Sequence, residues 1–352
     1  DRSVPEAGDL MATATRVHRA TTSSRVSAIL SAIVLLAVLS VATGDNRSWQ
    51  LKLTDICVFV VLATMWNLLA GYSGLVSVGQ QAFVGLGAYG LIFFANGLNQ
   101  DIYFSVIPAA IVAAVISVPI ALLAFRLRGG YFAVGTWVIA EVVRLIVKNN
   151  TSKTIGGGTG TSLDVRAYEA ASRIRTTSLI ALVVAVLAIA VVYLILRSRL
   201  GLALQSIRDN ESGAAGLGVN VYSTRMFVWI VAALFTGAAG AVFYLKTINV
   251  QPDAAFSVSA WTAPLIIMVA VGGLGTIEGP ILGAVGYYML RDWLTDQTHW
   301  PSLAPETYLI TMGLLAMVFA IFVQRGIWGT LTRKFPSLQL FPLRRRVEGV
   351  DG

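Results

Sequence analysis

The stretch GYSGLVSVGQQAFVGLGAY, residues 71–89, decides the architecture of this chain. It is apolar enough to lie in a bilayer, yet it is rich in glycine and contains uncharged polar residues. A polar group without a partner is costly in hydrocarbon, whereas glycine lets helices approach closely and tolerates local unwinding beside a cavity. The pattern therefore predicts a solute path inside a helical bundle. The candidate path residues are Asn67, Ser77, Gln80 and Gln81.

The composition indicates a membrane protein. Of 352 residues, 56% are hydrophobic and 12% are charged, and the mean hydropathy is +0.73. A soluble chain carries about twice that charged fraction. The net charge of +8 comes from basic residues between apolar runs, which is typical of membrane topology rather than of nucleic-acid binding.

The residues that metal sites and catalytic sites need are scarce. Cys57 is the only cysteine, which excludes an internal disulfide and a cysteine metal site. The two histidines, His18 and His299, lie far apart in the sequence, and no H-E-x-x-H motif is present. We therefore predict no metal site, no catalytic residues and no enzymatic activity for this chain.

Runs of about 20 apolar residues predict an all-α, polytopic transmembrane bundle of about ten spans, with eight or nine as alternatives. The third run is rich in glycine, and the eighth and ninth are short enough to be half-helices. The predicted spans are 28–43, 53–70, 79–98, 104–125, 131–147, 178–196, 226–245, 260–273, 279–293 and 306–324.

The distribution of Lys and Arg predicts the orientation. With ten spans, sixteen of these residues fall on the side of the N-terminus and eight on the other side. Because positive residues favour the cytoplasm, both termini are predicted to be cytoplasmic. The chain then divides into a basic, disordered segment at 1–27, a transmembrane domain at 28–324 and a basic tail at 325–352. Cleavage of a signal peptide near residue 44 is a less favoured alternative, and residues 1–10 before Met11 are interpreted as an upstream extension.

Two glycine motifs resemble nucleotide-binding motifs but lack the neighbouring elements that nucleotide binding requires. Gly85, Gly87 and Gly90 form G-x-G-x-x-G, but no βαβ unit surrounds them, so close helix packing is the favoured interpretation. The loop IGGGTGTSL at 155–163 lacks the lysine of a P-loop. We predict that this chain has no ATPase of its own.

Two further patterns concern helix packing. Glu141 and Arg144 are three residues apart within an apolar run, so they share a helix face; an ion pair is favoured over direct contact with solute. Gly275, Gly279 and Gly283 are spaced four apart and predict a smooth ridge for a neighbouring helix, with a break permitted at Pro280.

The segment LGLALQSIRDNESGAAGLGVN, residues 200–220, is the longest polar insertion predicted on the cytoplasmic side between two spans. Leu200, Leu204 and Ile207 recur at helical spacing, and small residues follow them. The pattern predicts a short amphipathic helix and a turn, a shape suited to a groove on a partner. A solvated loop without a partner is equally consistent with these residues alone.

These segments, from about residue 50 to 330, resemble the permease family of branched-chain amino acid ABC importers, specifically the M-type second membrane subunit of Liv systems. The resemblance implies a bacterial plasma membrane protein that pairs with a related permease, two cytoplasmic ATPases and an extracytoplasmic solute-binding protein. It implies no cofactor on this chain, because ATP is hydrolysed by the partner subunits. It also implies that 200–220 docks on the ATPase. The residues assigned to coupling are Arg208, Asp209, Glu211, Ala214, Ala215 and Gly218.

The chain departs from the family pattern at two places. Gln80 stands where members often have histidine, which is why we assign Gln80 to the path and Gln81 to helix joining; the alternative is that both amides only join helices. The loop at 155–163 is also altered. The predicted solutes are branched-chain or related amino acids, with urea and short amides as alternatives. A self-sufficient secondary transporter or channel is the second functional class, although no cluster of intramembrane carboxylates favours it.

Overall fold

The structure, a computed structural model, describes residues 38–295 apart from 151, 153 and 155, and residues 326–334. It also describes 16–17, 310–311, 313–314, 317–318 and 347–348. Most of the first and tenth predicted spans lies outside the described residues, as do nearly all of the segment 1–27 and the predictions made for it.

The described residues form a helical bundle with very short strands. The helices are α1 (Arg47–Asn67), α2 (Gln81–Ile92), α3 (Val106–Ala124), α4 (Gly130–Lys148), α5 (Ala170–Arg197), α6 (Arg199–Asp209), α7 (Glu211–Gly216), α8 (Val221–Thr247), α9 (Pro252–Ala255), α10 (Ala263–Gly272), α11 (Glu278–Thr295) and α12 (Gly326–Lys334). Residues 38–43 are also helical. Single π-helical turns follow α1 at Leu68–Tyr72, follow α2 at Phe93–Gly97 and precede α10 at Val258–Thr262.

Two pairs of two-residue strands complete the described structure. Strands β2 (Thr161–Ser162) and β3 (Asn249–Val250) are antiparallel, with Thr161 opposite Val250. Strands β1 (Arg16–Val17) and β4 (Val347–Glu348) pair in the same sense. Apart from these short strands, the described fold is therefore all-α.

Six helical stretches of the described chain are long and apolar enough to cross a membrane: Arg47–Tyr72, Val106–Ala124, Gly130–Lys148, Ala170–Arg197, Val221–Thr247 and Pro252–Gly272. The shorter α2 and the more polar α11 occupy the third and ninth predicted spans. Helices thus lie at all predicted positions from the second span to the ninth, which confirms the polytopic bundle.

The spans differ widely in how deeply they are enclosed. In α1, 89% of the most apolar window is buried, whereas in α4 only 17% is buried. Only Phe132, Thr136 and Ala140 are buried on α4, a single stripe at every fourth residue. The core therefore lies around α1, α2, α3 and α8, and α4 borders it.

The predicted glycine ridge is only partly helical. A Cβ at Gly283 would lie 1.9 Å from the Met268 carbonyl oxygen, and one at Gly279 would lie 2.4 Å from that of Gly273, so both glycines permit close contact with α10 and its end. The prediction for Gly275 is wrong: this residue lies in the turn before α11 with φ +75°, a conformation that favours glycine. Helical spacing therefore does not extend across that turn.

The first part of the predicted C-terminal tail contacts the bundle. Gly326 lies so close to the end of α10 that a Cβ there would be 2.5 Å from the Gly273 Cα. Trp328 on α12 is buried. The boundary that we predicted at residue 325 therefore marks a change from apolar to basic sequence, but residues on both sides of it pack in the bundle.

Candidate functional site

The chain unwinds between α1 and α2, within the glycine-rich stretch. After the π-helical turn at Leu68–Tyr72, residues 74–79 are non-helical, and α2 begins at Gln81. The Trp66 indole donates to the Ser77 carbonyl at 2.8 Å, which holds the returning segment alongside α1. Leu75, Ser77 and Gly79 of this segment are buried, whereas Gly74 and Val76 are exposed. Irregular backbone is tolerated at membrane depth where it is buried in protein or lines a water-filled cavity.

Gln81 is tied to a hydroxyl across the bundle. Its backbone N–H donates to Thr262 Oγ1 at 3.3 Å, and the Thr262 hydroxyl donates to Gln81 Oε1. Thr262 is the last residue of the π-helical turn before α10. An irregular turn thus meets the start of α2, and π-helical turns occur frequently at functional sites.

Gln80 has a different environment. Its side chain is fully buried, and its Oε1 accepts a long hydrogen bond of 3.5 Å from the Thr236 hydroxyl on α8. Its Nε2 has no hydrogen-bond partner in the described part of the chain. An unsatisfied donor in an apolar interior is costly, so this amide stands out from its neighbour.

Asn67 and Ser77 are bonded within the chain. Asn67 Nδ2 donates to the Thr276 carbonyl at 2.7 Å, and its Oδ1 accepts from the Gly275 N–H at 2.8 Å. Ser77 Oγ accepts from the Gly79 N–H at 3.2 Å. These bonds secure the turn before α11 and the unwound segment, and a solute-path role for either residue stays a prediction.

Backbone contacts hold α2 against α8 beside this region. A Cβ at Gly87 would lie 1.9 Å from the Gly237 carbonyl oxygen, and one at Gly240 would lie 2.3 Å from that of Val84. Gly85 and Gly90 likewise face Phe256 and Ala109 at contact distance. The packing interpretation of the G-x-G-x-x-G match is confirmed.

Helix α4 covers the unwound segment. The Val78 N–H donates to Thr136 Oγ1 at 3.1 Å, and a Cβ at Gly79 would lie 2.3 Å from the Thr136 carbonyl oxygen. The contact leaves no room between α4 and the chain just before Gln80.

Ion pairs anchor the far end of α4. Arg144 Nε donates to both Glu141 carboxylate oxygens at 2.9 and 3.0 Å, and Arg144 also bonds Asp253. Lys148 Nζ lies 2.9 Å from the other Asp253 oxygen. The Glu141–Arg144 pair predicted from spacing is present, and it extends to a neighbouring element.

The segment 200–220 forms two helices, where one helix and a turn were predicted. Leu204 and Ile207 are buried, as their spacing predicts. Asn210 then caps α7, because its side chain accepts from the Gly213 N–H at 2.9 Å. In the turn after α7, Leu217 is 85% exposed.

The assigned coupling residues divide into bonded and open groups. Glu211 lies 3.0 Å from the Arg225 guanidinium, and Ala214 is buried. Ala215 and Gly218 are exposed, and Gly218 has φ +84° with nothing near its Cβ position. The exposed side of α7 is therefore small and smooth, with Leu217 beside it.

Arg208 connects α6 to the π-helical turn before the unwound segment. Its Nη1 donates to the Gly71 carbonyl at 2.9 Å, and its Nε contacts Asp209 at 3.1 Å. Gly71 belongs to the π-helical turn that leads into the break. The exposed α6–α7 pair is thus bonded to the turn that precedes the unwound segment and Gln80.

The altered loop at 155–163 lies at the opposite end of the bundle. Gly156, Gly157 and Gly160 have positive φ, and a Cβ at Gly160 would lie 2.4 Å from the Val250 carbonyl oxygen. A surface cavity of about 420 Å³ borders the loop and the end of α4. Glycine is needed here for turns and for close approach to β3.

A hydrogen bond ties the connection after this loop to the start of α3. Tyr168 Oη donates to Asp101 Oδ2 at 2.9 Å. Burial raises the pKa of Tyr168 above its ordinary value, and the bond to Asp101 raises it further. The tyrosine therefore remains a neutral donor at physiological pH.

No group of three or more histidine, cysteine or acidic side chains that could hold a metal ion occurs in the described part of the chain. The polar features that remain are the unwound segment, its covering helix and the exposed helical pair. Together with the apolar spans, they define a multi-pass membrane protein.

A family model described as the permease component of the branched-chain amino acid transport system matches residues 51–321. The chain therefore belongs to this family, whose members are transport permeases rather than enzymes.

Curated relatives and a solved structure are similar to the chain over most of its length. It is 25% identical over 345 residues to the high-affinity branched-chain amino acid transport system permease protein LivM of Salmonella typhimurium, covering 89% of this chain and 78% of LivM. It is 25% identical over 310 residues to LivM of Escherichia coli, covering 80% and 70%. PsaBC from Streptococcus pneumoniae, solved with a Fab, matches with a TM-score of 0.47 and 10% identity, covering 85% of this chain and 99% of that chain.

Proposed function

We propose that this chain is the permease subunit of an ATP-driven importer for branched-chain or chemically related amino acids. It pairs with a second, homologous permease, and the pair binds two cytoplasmic ATPases. An extracytoplasmic binding protein delivers the solute. The complex lies in a bacterial plasma membrane with both termini of this chain in the cytoplasm, so that α6 and α7 face the ATPases.

The observation that carries this proposal is the exposed surface of the α6–α7 pair. Leu217 is 85% exposed and Leu202 is 71% exposed, in the longest polar connection between two described spans. Apolar side chains at a polar, helical tip favour a protein partner, because a helix face of this kind fits a hydrophobic groove.

The bond between Arg208 and Gly71 supports a mechanical role for this surface. Movement of α6 on its partner would pull on the π-helical turn and on the unwound segment that follows it. ATP binding would thereby change the opening at the centre of the bundle. The chain itself contributes the path and the docking surface, and the chemistry of ATP hydrolysis belongs to the partner subunits.

Reconstitution in liposomes tests this proposal. We expect uptake of leucine only when the ATPases, the second permease, the binding protein and ATP are all present. Uptake by the chain alone without ATP would instead indicate a secondary carrier. Uptake of urea or a short amide in place of leucine would change the solute class and leave the importer mechanism intact.

Substitutions on the α6–α7 pair distinguish contact with the ATPase from ion pairing within the chain. Leu217→Asp is expected to reduce recovery of the ATPase with the permease, because a charge would enter an apolar contact.

Glu211→Arg breaks the pair with Arg225, and the double variant Glu211→Arg/Arg225→Glu restores it. If the double variant recovers ATPase binding, Glu211 acts inside the chain; if it does not, Glu211 contacts the ATPase.

A further inference from the structure

We propose that the N-terminus of α2, together with the side-chain amide of Gln80, binds the carboxylate of the amino acid at the centre of the bundle. The inference rests on the proposed function, because it assigns a site to the solute of that importer. It names both the group of the solute that is recognised and the protein groups that recognise it.

The start of α2 lies near the middle of the membrane-spanning region. Its contact Thr262 is ten residues from either end of the membrane-length stretch Pro252–Gly272. Thr236, which contacts Gln80, lies near the middle of α8. A helix therefore begins at the depth where a transported solute must pass between the two sides.

The helix start contributes a positive field at that depth rather than free donors, because the N–H groups of Gln81, Ala82 and Phe83 already bond Thr262 Oγ1 and the carbonyls of Gly79 and Gln80. Helix N-termini carry about half a positive charge and attract anions, an effect that is strongest away from water. The first turn of α2 contains no acidic residue. Broken helices whose N-termini face the carboxylate of a substrate are an established device for binding at the midplane of a membrane.

The free donor of Gln80 specifies an acceptor. Gln80 Nε2 is buried without a partner among the residues that the structure describes, and an amide nitrogen can only donate. A carboxylate only accepts, whereas an ammonium group only donates. The amide and the helix start therefore select the same end of a zwitterion.

Gln81 provides the internal contrast. Its Oε1 already accepts from Thr262, and its backbone N–H donates to the same hydroxyl. It joins α2 to the turn before α10. Of the two consecutive amides, only that of Gln80 has an Nε2 that is fully buried and without a partner among the described residues, and only that of Gln81 is bonded to Thr262.

The site is closed in this conformation. Gln80 has no exposed surface, and Thr136 of α4 lies directly on Val78 and Gly79. Glycine contacts fix α2 to α8, so access to Gln80 requires the unwound segment and α4 to separate. Closure between steps is a requirement of alternating access, in which the two openings never coexist.

Three variants in the fully assembled transporter test the assignment. Gln80→Met keeps the side-chain length and removes the donor, and Gln80→His restores one. Gln50→Met is the matched control, because it removes a buried amide of α1 that bonds the Gly44 carbonyl at 2.6 Å, away from α2. We expect Gln80→Met to reduce ATP-dependent leucine uptake about tenfold per assembled complex, in keeping with loss of one hydrogen bond to a charged group. Gln80→His should retain most of the uptake, and Gln50→Met should lower folded yield while leaving uptake per complex unchanged.

A binding measurement without the binding protein identifies the recognised group. Saturation-transfer NMR on the permease–ATPase complex in nanodiscs compares leucine with leucinamide, which lacks the carboxylate. We expect wild-type complex to favour leucine and Gln80→Met to lose that preference. Equal binding of both compounds, absence of leucine binding, or an unchanged preference in Gln80→Met would overturn the site. Absence of any ATP-dependent amino acid uptake by wild-type complex would instead remove the proposed function.

Discussion

Two contacts beside the unwound segment are built in opposite ways. Between α2 and α8 the backbones touch, because Gly87 and Gly237 leave no side chain between them. Helix α4, by contrast, buries only one stripe of three residues and is otherwise exposed. Close backbone contact gains dispersion and excludes lipid, whereas a narrow stripe gains little. The difference separates a fixed frame, α2 with α8, from a cover that is attached at few points.

The largest effect is expected from breaking the frame. Gly87→Ala would place a methyl group 1.9 Å from the Gly237 carbonyl oxygen, so the two helices must move apart. Overpacking of this kind costs about 1–3 kcal/mol or more. We expect a severe loss of folded protein by size-exclusion chromatography in detergent.

Gly286→Ala is the matched control for that substitution. Gly286 is also helical, but nothing lies within 4 Å of its Cβ position. Its yield should equal or exceed that of wild type, because alanine favours a helix. Equal yields for the two variants would show that the frame tolerates separation.

A smaller effect is expected from loosening the cover. Thr136→Val keeps the shape of the side chain and leaves the Val78 N–H without its acceptor. The cost is about 1–3 kcal/mol. We expect faster hydrogen exchange of the amides in residues 76–80.

The control is Thr247→Val. The Thr247 hydroxyl donates to the Phe243 carbonyl of its own helix at 3.0 Å. Exchange at 76–80 should be unchanged in that variant. Unchanged exchange in Thr136→Val as well would mean that other contacts hold α4 in place.

The smallest effect is expected at the far end of α4. Lys148→Ala removes an exposed contact, and Asp253 keeps its bond to Arg144. Exposed pairs of this kind contribute little to stability. Arg144→Ala should lower the melting temperature more than Lys148→Ala, because Arg144 bonds both Glu141 and Asp253. The reverse order would indicate that Lys148 supports the loop at 149–160.

The sequence predicted the class, the positions of the second to ninth spans and the glycine-rich break. The length of an apolar run and its glycine content are properties of neighbouring residues, so they can be recognised without a structure. The same holds for Glu141 and Arg144, whose spacing along one helix sets their contact. Membership of the permease family, inferred from motifs, is confirmed.

The partners of the two glutamines could not be predicted. Thr236 and Thr262 lie far away in the sequence, and hydroxyls within apolar helices usually bond their own backbone. Nothing in their spacing marks them. The prediction that Gly275 belongs to the helical ridge was wrong for a related reason. Its regular spacing from Gly279 continues across a turn that the sequence does not reveal.

The ion pairs at the loop end, which carries residues 149–169, have an electrical consequence. Lys52 bonds Asp292, Lys246 bonds Asp55, and two bases face two acids at Glu141, Arg144, Lys148 and Asp253. A unit charge that crosses about 100 mV exchanges about 2.3 kcal/mol with the membrane potential. Pairs that move together carry no net charge, and neither does a zwitterion. Voltage should therefore leave the rate of leucine uptake unchanged when a potassium gradient and valinomycin set the potential.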